Sequence, residues 1–297
     1  MLNIPPQSTI IKDALTSWFE KPSVVTARCS EFDGFYLRLE SESIEAVNVL
    51  HFHIKAQCLS LGYPQDLNLH AHLDQLFSPF FCPDCPRKDT NDICICLDHT
   101  KLPEDPSTRE TLLSNLCSIR SIILGLPYQK ALELLEEAKK TKSSSSALIL
   151  DPIRIKISEF NHMFVYCDAQ NLFVTFALSF KDSSDSVLVR PLLQELVDAK
   201  KGRSVASLPS VSWEEGVPAK LVGFANEYRA LPSSGFITFT LFPSIWGKKE
   251  SMINQMISFR SFLTLHLKAM NAAQHVQLRR RFTASLASFN KAKPAVV

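Results

Sequence analysis

Glycine is scarce in this chain: 8 of 297 residues, where average usage near 7% would give about 20. Loops that cradle phosphate need glycine, because the backbone must approach the ligand closely, often at positive φ. Neither G-x-G-x-x-G nor G-x-x-x-x-G-K-[ST] occurs, so a standard dinucleotide or P-loop site is excluded. Long apolar runs are missing too. No stretch approaches 18 uncharged apolar residues, so no membrane span is expected. The opening MLNIPPQSTIIKDAL has proline and acid where a secretory signal would place its apolar run, which predicts a chain made without such a signal. The eight cysteines are then expected to remain thiols in a reduced, cytoplasmic setting. H-E-x-x-H, nucleophile-elbow and calcium-loop motifs are also absent. Nothing supports an enzyme, and no cofactor is expected.

What remains is enough for a sizeable fold: 45% hydrophobic residues, including 20 phenylalanines. Charge is unevenly spread behind a net +2. Residues 1–142 carry 14 basic and 19 acidic side chains (−5), and residues 143–297 carry 18 and 11 (+7). The last fifty, 248–297, hold nine Lys/Arg against Glu250 alone, a block of +8. Such a block attracts an anionic partner, whether nucleic acid, acidic lipid or an acidic protein surface, unless it is simply a solvated face.

The hydrophobic pattern predicts a helix over 8–19 with Ile11, Leu15 and Trp18 on one face. Strands follow at 32–39 and 47–54, then a helix at 67–77 and a short strand at 93–97. Helices are expected at 107–124, N-capped by Ser107, and at 127–140. The KSSSS run at 142–146 is the clearest compositional break and divides the expected domains, 1–142 and 143–247. A hairpin over 163–180 turns at Asp168–Asn171. A helix at 190–201 follows, then a long irregular stretch, 202–234. GFITFTLFP at 235–243 is apolar throughout its Ile237, Phe239, Leu241 face, which places it inside a sheet. From Lys248 to Lys293 there is neither proline nor glycine, which licenses a helix of about 40 residues and roughly 60 Å. Met252, Met256, Phe259, Leu263, Leu267 and Met270 form a heptad-like seam along it, suited either to a partner helix or to the chain's own core. Glu31-Phe32-Asp33 and Glu159-Phe160-Asn161 each precede an aromatic strand, a faint echo of two related α+β halves.

Two clusters could carry chemistry. Cys82, Cys85, Cys94 and Cys96, spaced C-x2-C-x8-C-x-C, could satisfy tetrahedral zinc, or could be a cysteine-rich hairpin with Cys94 and Cys96 as small core residues. Two H-x-H pairs, His51/His53 and His70/His72, read as surface histidines, although on a strand the first pair shares one face. Arg279-Arg280-Arg281 sweep about 200° around a helix, so at least one must reach solvent or a partner.

Along the C-terminal half the residues become specific. GFITFTLFP, His266-Leu267-Lys268, His275, Arg279-Arg280-Arg281 and Lys291-Ala292-Lys293-Pro294 fall in order on one strand and one long helix. This resembles subunit 2 of the actin-related protein 2/3 complex, in a divergent, plant-type form. Glu31-Phe32-Asp33, Ser118-Ile119-Arg120 and Phe180-Lys181-Asp182-Ser183 agree with the same family. The resemblance implies an α+β chain of two similar α/β-sandwich domains with antiparallel sheets and a long C-terminal helix over 248–297. It also implies a non-catalytic scaffold in the cytoskeleton, with no metal, no nucleic acid and no membrane span. The helix would pair with subunit 4, and the complex would meet the side of an actin filament. On that reading Arg279, Arg280, Arg281, Lys200, Lys201 and Arg203 are the candidates for filament contact. Departures from the family pattern, Ser244-Ile245 after the strand and Gln277 before the arginines, bear on filament affinity. The rival reading is a zinc-stabilised module for protein or nucleic acid, built on Cys82–Cys96 and the basic terminus.

Overall fold

A computed structural model describes residues 7–42, 48–83, 93–141, 150–168, 170–180, 182–199, 209–229, 235–243 and 249–291. It holds two antiparallel sheets with helices packed on them. The first half runs α1 (Thr9–Glu20), β1 (Thr26–Ser30), β2 (Phe35–Ser41), β3 (Val49–Ala56), α2 (Gln57–Ser60), α3 (Leu69–Phe77) and β4 (Ile93–Asp98), then α4 (Pro106–Cys117) and α5 (Ile119–Thr141). The second runs β5 (Leu150–Lys156), β6 (His162–Cys167), β7 (Leu172–Leu178), α6 (Ser183–Ala199), β8 (Ser210–Glu214), α7 (Ala225–Arg229), β9 (Gly235–Leu241) and α8 (Lys249–Lys291). Strand order is β1-β2-β3-β4 in one sheet and β5-β6-β7-β9-β8 in the other. None of the described helices is long and apolar enough to cross a membrane.

Period-2 alternation fixes the first sheet. Leu37, Leu39, Leu50, Phe52, Ile54, Ile93, Ile95 and Leu97 all turn to one face and are buried, beneath the Ile11, Leu15, Trp18 stripe of α1 and the later helices. In the second sheet every residue of β6 is buried, because both faces are covered. Helices α5, α6 and α8 lie on one side. On the other, Leu221 and Tyr228 close over Phe164, Tyr166 and Phe236. The strand at 235 is interior as expected, held between β7 and β8.

Several sequence expectations need correcting. The strand set at 32–39 begins at Phe35, since 32–34 is a 3-10 turn with Asp33 at φ 61°. β1 went unread because it is five residues long and alternates only between exposed and half-buried. The helix break set near 125 lies at Ser118, and Pro127 sits inside α5. The cap of α4 is Asp105, not Ser107. Its carboxylate accepts from the Thr108 N–H at 2.8 Å, and Pro106 takes the first helical position, where its missing N–H has no partner to lose. Helix α6 starts seven residues early, at Ser183, with Pro191 inside it. The stretch expected to be irregular after 202 contains β8, a 3-10 turn and α7. The echoed triplets both lie in the turn between the first two strands of their sheet, 31–33 between β1 and β2, and 159–161 between β5 and β6.

Candidate functional site: an anchored helix with a free end

Helix α8, at 43 residues, is about 65 Å long. Its first half belongs to the chain's own core. Met252, Met256, Phe259, Leu263 and Leu267 are buried, together with Ile253 and Ile257. The Phe259 ring packs 5.4 Å from Phe176 and 4.7 Å from Phe239, on neighbouring strands β7 and β9. Ile253 and Ile257 face Gly125 of α5. Of the seam residues, Met270 is half-buried.

A buried carboxylate fixes this half to the first sheet. Asp33 and Gly34 both adopt positive φ, 61° and 74°, and a Cβ on Gly34 would come within 2.9 Å of Gln57 Cβ, so glycine is required there. The turn holds the Asp33 carboxylate inward, where its side chain is 1% exposed. Arg120 Nη1 of α5 lies 3.3 Å from Oδ2, Arg260 Nη1 of α8 2.7 Å from Oδ1, and the Ser261 hydroxyl donates to Oδ2 at 3.1 Å. Arg120 Nε also stands 3.7 Å from Glu31, and its guanidinium lies 5.9 Å from the Phe32 ring centroid. Burying a charge is costly unless several partners compensate it, and here three segments converge to do so. Glu31-Phe32-Asp33 and Ser118-Ile119-Arg120 thus meet at one point. Sequence reasoning missed Arg260, although it is the single charge between Glu250 and Lys268 in an otherwise uncharged run.

Beyond Leu267 the helix leaves its support. The Asn271 amide donates to Asp185 at the start of α6. Nearby, hydrogen bonds from Ser184, with a lesser attraction from His275, hold Asp182 below the usual carboxylate range. From 272 to 286 every residue is exposed. Leu278, Phe282 and Leu286 are 48–68% exposed and fall at i, i+4, i+8, within about 80° of one another around the axis. Arg279 and Arg281 flank that stripe and Arg280 points away from it, on the same 100° step. All three arginines are exposed, as are His275 and Gln277.

A family model for the Arp2/3 complex 34 kD subunit, p34-Arc, matches residues 65–296, well over half of the sequence. The chain belongs to this family. Among relatives, it is 29% identical to actin-related protein 2/3 complex subunit 2A of Arabidopsis thaliana over 212 residues, 70% of this chain and 63% of that protein. It is 23% identical to subunit 2 of Schizosaccharomyces pombe and 25% to subunit 2 of Dictyostelium discoideum, in both cases across 100% of this chain and 95% of the relative. The two antiparallel sheets and the long terminal helix are the α+β architecture implied by the sequence resemblance.

Other predicted residues separate. Lys200, Lys201 and Arg203 lie outside the described residues, as do Ser244, Ile245 and Cys85. His70 and His72 sit on α3, where two residues diverge by about 200°. His99, just after β4, turns to the Phe19 carbonyl at 3.2 Å and the edge of Trp18.

Proposed function

We propose that this chain is a non-catalytic scaffold subunit of an actin-nucleating complex of the Arp2/3 type, found in the cytoplasm and cytoskeleton. Two α/β-sandwich units, 1–142 and 143–247, are proposed to carry the C-terminal segment 248–297, in which the part of α8 beyond Leu267 serves as a projecting arm. The observation that carries this reading is the stretch 272–286, exposed at every position. Isolated helices of about 15 residues are marginal in water, and this one displays an exposed apolar stripe of Leu278, Phe282 and Leu286. A partner helix that buries Leu278, Phe282 and Leu286 supplies what the arm lacks, and subunit 4 is the partner proposed. The seam from Met252 to Leu267 then serves to seat the arm's base, with Met270 at the edge of the partner contact.

The basic face is proposed to meet the acidic side of an actin filament, through Arg279, Arg280 and Arg281, with Lys200, Lys201 and Arg203 as further candidates. Such a contact weakens with ionic strength, because exposed charges are screened beyond about 8–10 Å. Co-expression with subunit 4 tests the arm. The wild-type chain is expected to co-purify, and the Leu278→Asp/Phe282→Asp chain to fold but fail to do so. Retained pairing in the double variant would refute the stripe as the contact. Reversing Arg279–Arg281 to glutamate should leave the heterodimer intact and reduce filament co-sedimentation at low salt.

A further inference from the structure

Outside the helix, the most chemically loaded place in the molecule is the outer face of the first sheet. In the antiparallel pairing of β3 with β4, His51 stands opposite Cys96 and His53 opposite Cys94. Strand residues two apart share a face, and directly opposed residues have Cβ atoms about 4.5–5.5 Å apart. An H-x-H strand in this register against a C-x-C strand therefore gathers two imidazoles and two thiols into one square. It lies on the face away from Leu50, Phe52, Ile54, Ile93, Ile95 and Leu97. Sequence spacing could not show this, since the two pairs are more than forty residues apart.

Three of the four have mutually close donor atoms, and Cys96 adjoins two of those three. Donor atoms of His51, His53 and Cys94 all lie within 4.8 Å of one another. Cys94 Sγ is 3.7 Å from Cys96 Sγ, and Cys96 Sγ is 3.3 Å from His51 Nδ1. Around tetrahedral zinc, with Zn–S near 2.3 Å and Zn–N near 2.0–2.1 Å, adjacent donors stand about 3.8 Å (S to S) and about 3.6 Å (S to N) apart. The His51 and His53 rings stack with centroids 6.0 Å apart. His51 Nε2 is buried without a hydrogen-bond partner among the described residues. Cys94 is fully buried, while the other three are half-buried, which leaves a path for an ion.

We infer that His51, His53, Cys94 and Cys96 form a tetrahedral His2Cys2 site for zinc on the outer face of the first sheet, a ligand set different from the C-x-x-C reading of the sequence. Charge balance suits it. Two thiolates offset the dication, and the neighbouring Arg38 and Glu40, opposite His53 and His51 on β2, already pair with each other. Among the described residues, Cys82 is an alternative ligand at the edge of the site. The segment Phe80–Cys82 pairs along the edge of β4 through Cys82 N–H to the Cys94 carbonyl, 3.1 Å, and Cys96 N–H to the Phe80 carbonyl, 2.8 Å.

The site stands apart from the proposed role of α8, and its test does not depend on that role. The full-length, tag-free chain purified under reducing conditions is analysed for zinc, and the metal-free chain is titrated with Co2+. About one zinc per chain and thiolate-to-cobalt charge-transfer absorption are expected. His53→Gln and Cys94→Ser should each weaken zinc by more than the about 10–100-fold typical of an outer-shell partner, whereas Cys82→Ser should keep the metal. Zinc far below stoichiometry together with no cobalt charge transfer in the wild type would overturn the site without relying on any variant's folding. Loss of metal in Cys82→Ser with retention in His53→Gln would overturn the ligand set.

Discussion

Replacing Asp33 by asparagine tests whether one buried carboxylate holds the long helix to the first half. Asparagine keeps the shape and tolerates the left-handed backbone at φ 61°, so the change removes charge and little else. Arg120, with its side chain 3% exposed, then faces a neutral amide. Removing one partner of a buried ion pair costs about 3–5 kcal/mol, because the other charge stays buried. Two features place the loss at the lower end. Glu31 remains 3.7 Å from Arg120, and Arg260, 21% exposed, can turn toward water. About 3 kcal/mol is a large share of a net stability of about 5–15 kcal/mol. With an unfolding entropy of about 2.1 cal/mol/K per residue, a chain of this length should lose about 5 °C in Tm. Urea and thermal unfolding followed by circular dichroism measure the loss, and hydrogen exchange should report faster opening in 249–263 than in β2 and β3. Asp33→Asn with Arg120→Met should recover part of the stability, since it removes the stranded charge. A single-variant loss below about 1 kcal/mol, or a double variant no better than the single, would refute the reasoning.

Other consequences are smaller and separate. His162 is buried and bonded to the Tyr228 hydroxyl, and burial, aided by Arg154 and Lys156, lowers its pKa to about 4. A histidine that protonates more readily unfolded than folded gives stability that is full above about 6.5 and is lost as pH falls toward 4. His162→Asn should flatten that part of the stability-against-pH curve measured by thermal unfolding. Asp105→Ala removes the cap of α4 and should lower the midpoint of urea unfolding, with Asp105→Ser recovering most of the loss.

Much of the fold was legible because it rests on local periodicity. The stripe Ile11, Leu15, Trp18, the alternation through Leu50, Phe52 and Ile54, the hairpin expected over 163–180 and the proline-free terminal run each encode their element within a few residues. Departures arose where local signals were weak or misleading. Half-exposed β1 offers no apolar alternation, and the helix starts expected at 127 and 190 fall at or beside Pro127 and Pro191, although both helices begin earlier and continue through them. The free arm was half legible: the arginines and the seam were visible, but not the point at which support ends.

The sequence by itself determined most of the element types, the excess of positive charge at the end of the chain and the family to which it belongs, since each depends on residues close together or on ordered motifs. Only the tertiary structure decided which residues meet across long separations. It brought Asp33, Arg120 and Arg260 to one carboxylate, laid His51 and His53 against Cys96 and Cys94, and ended the helix's support near Asn271. Strand register and helix packing set those meetings, and they are fixed by burial of the whole apolar surface rather than by any local run of side chains.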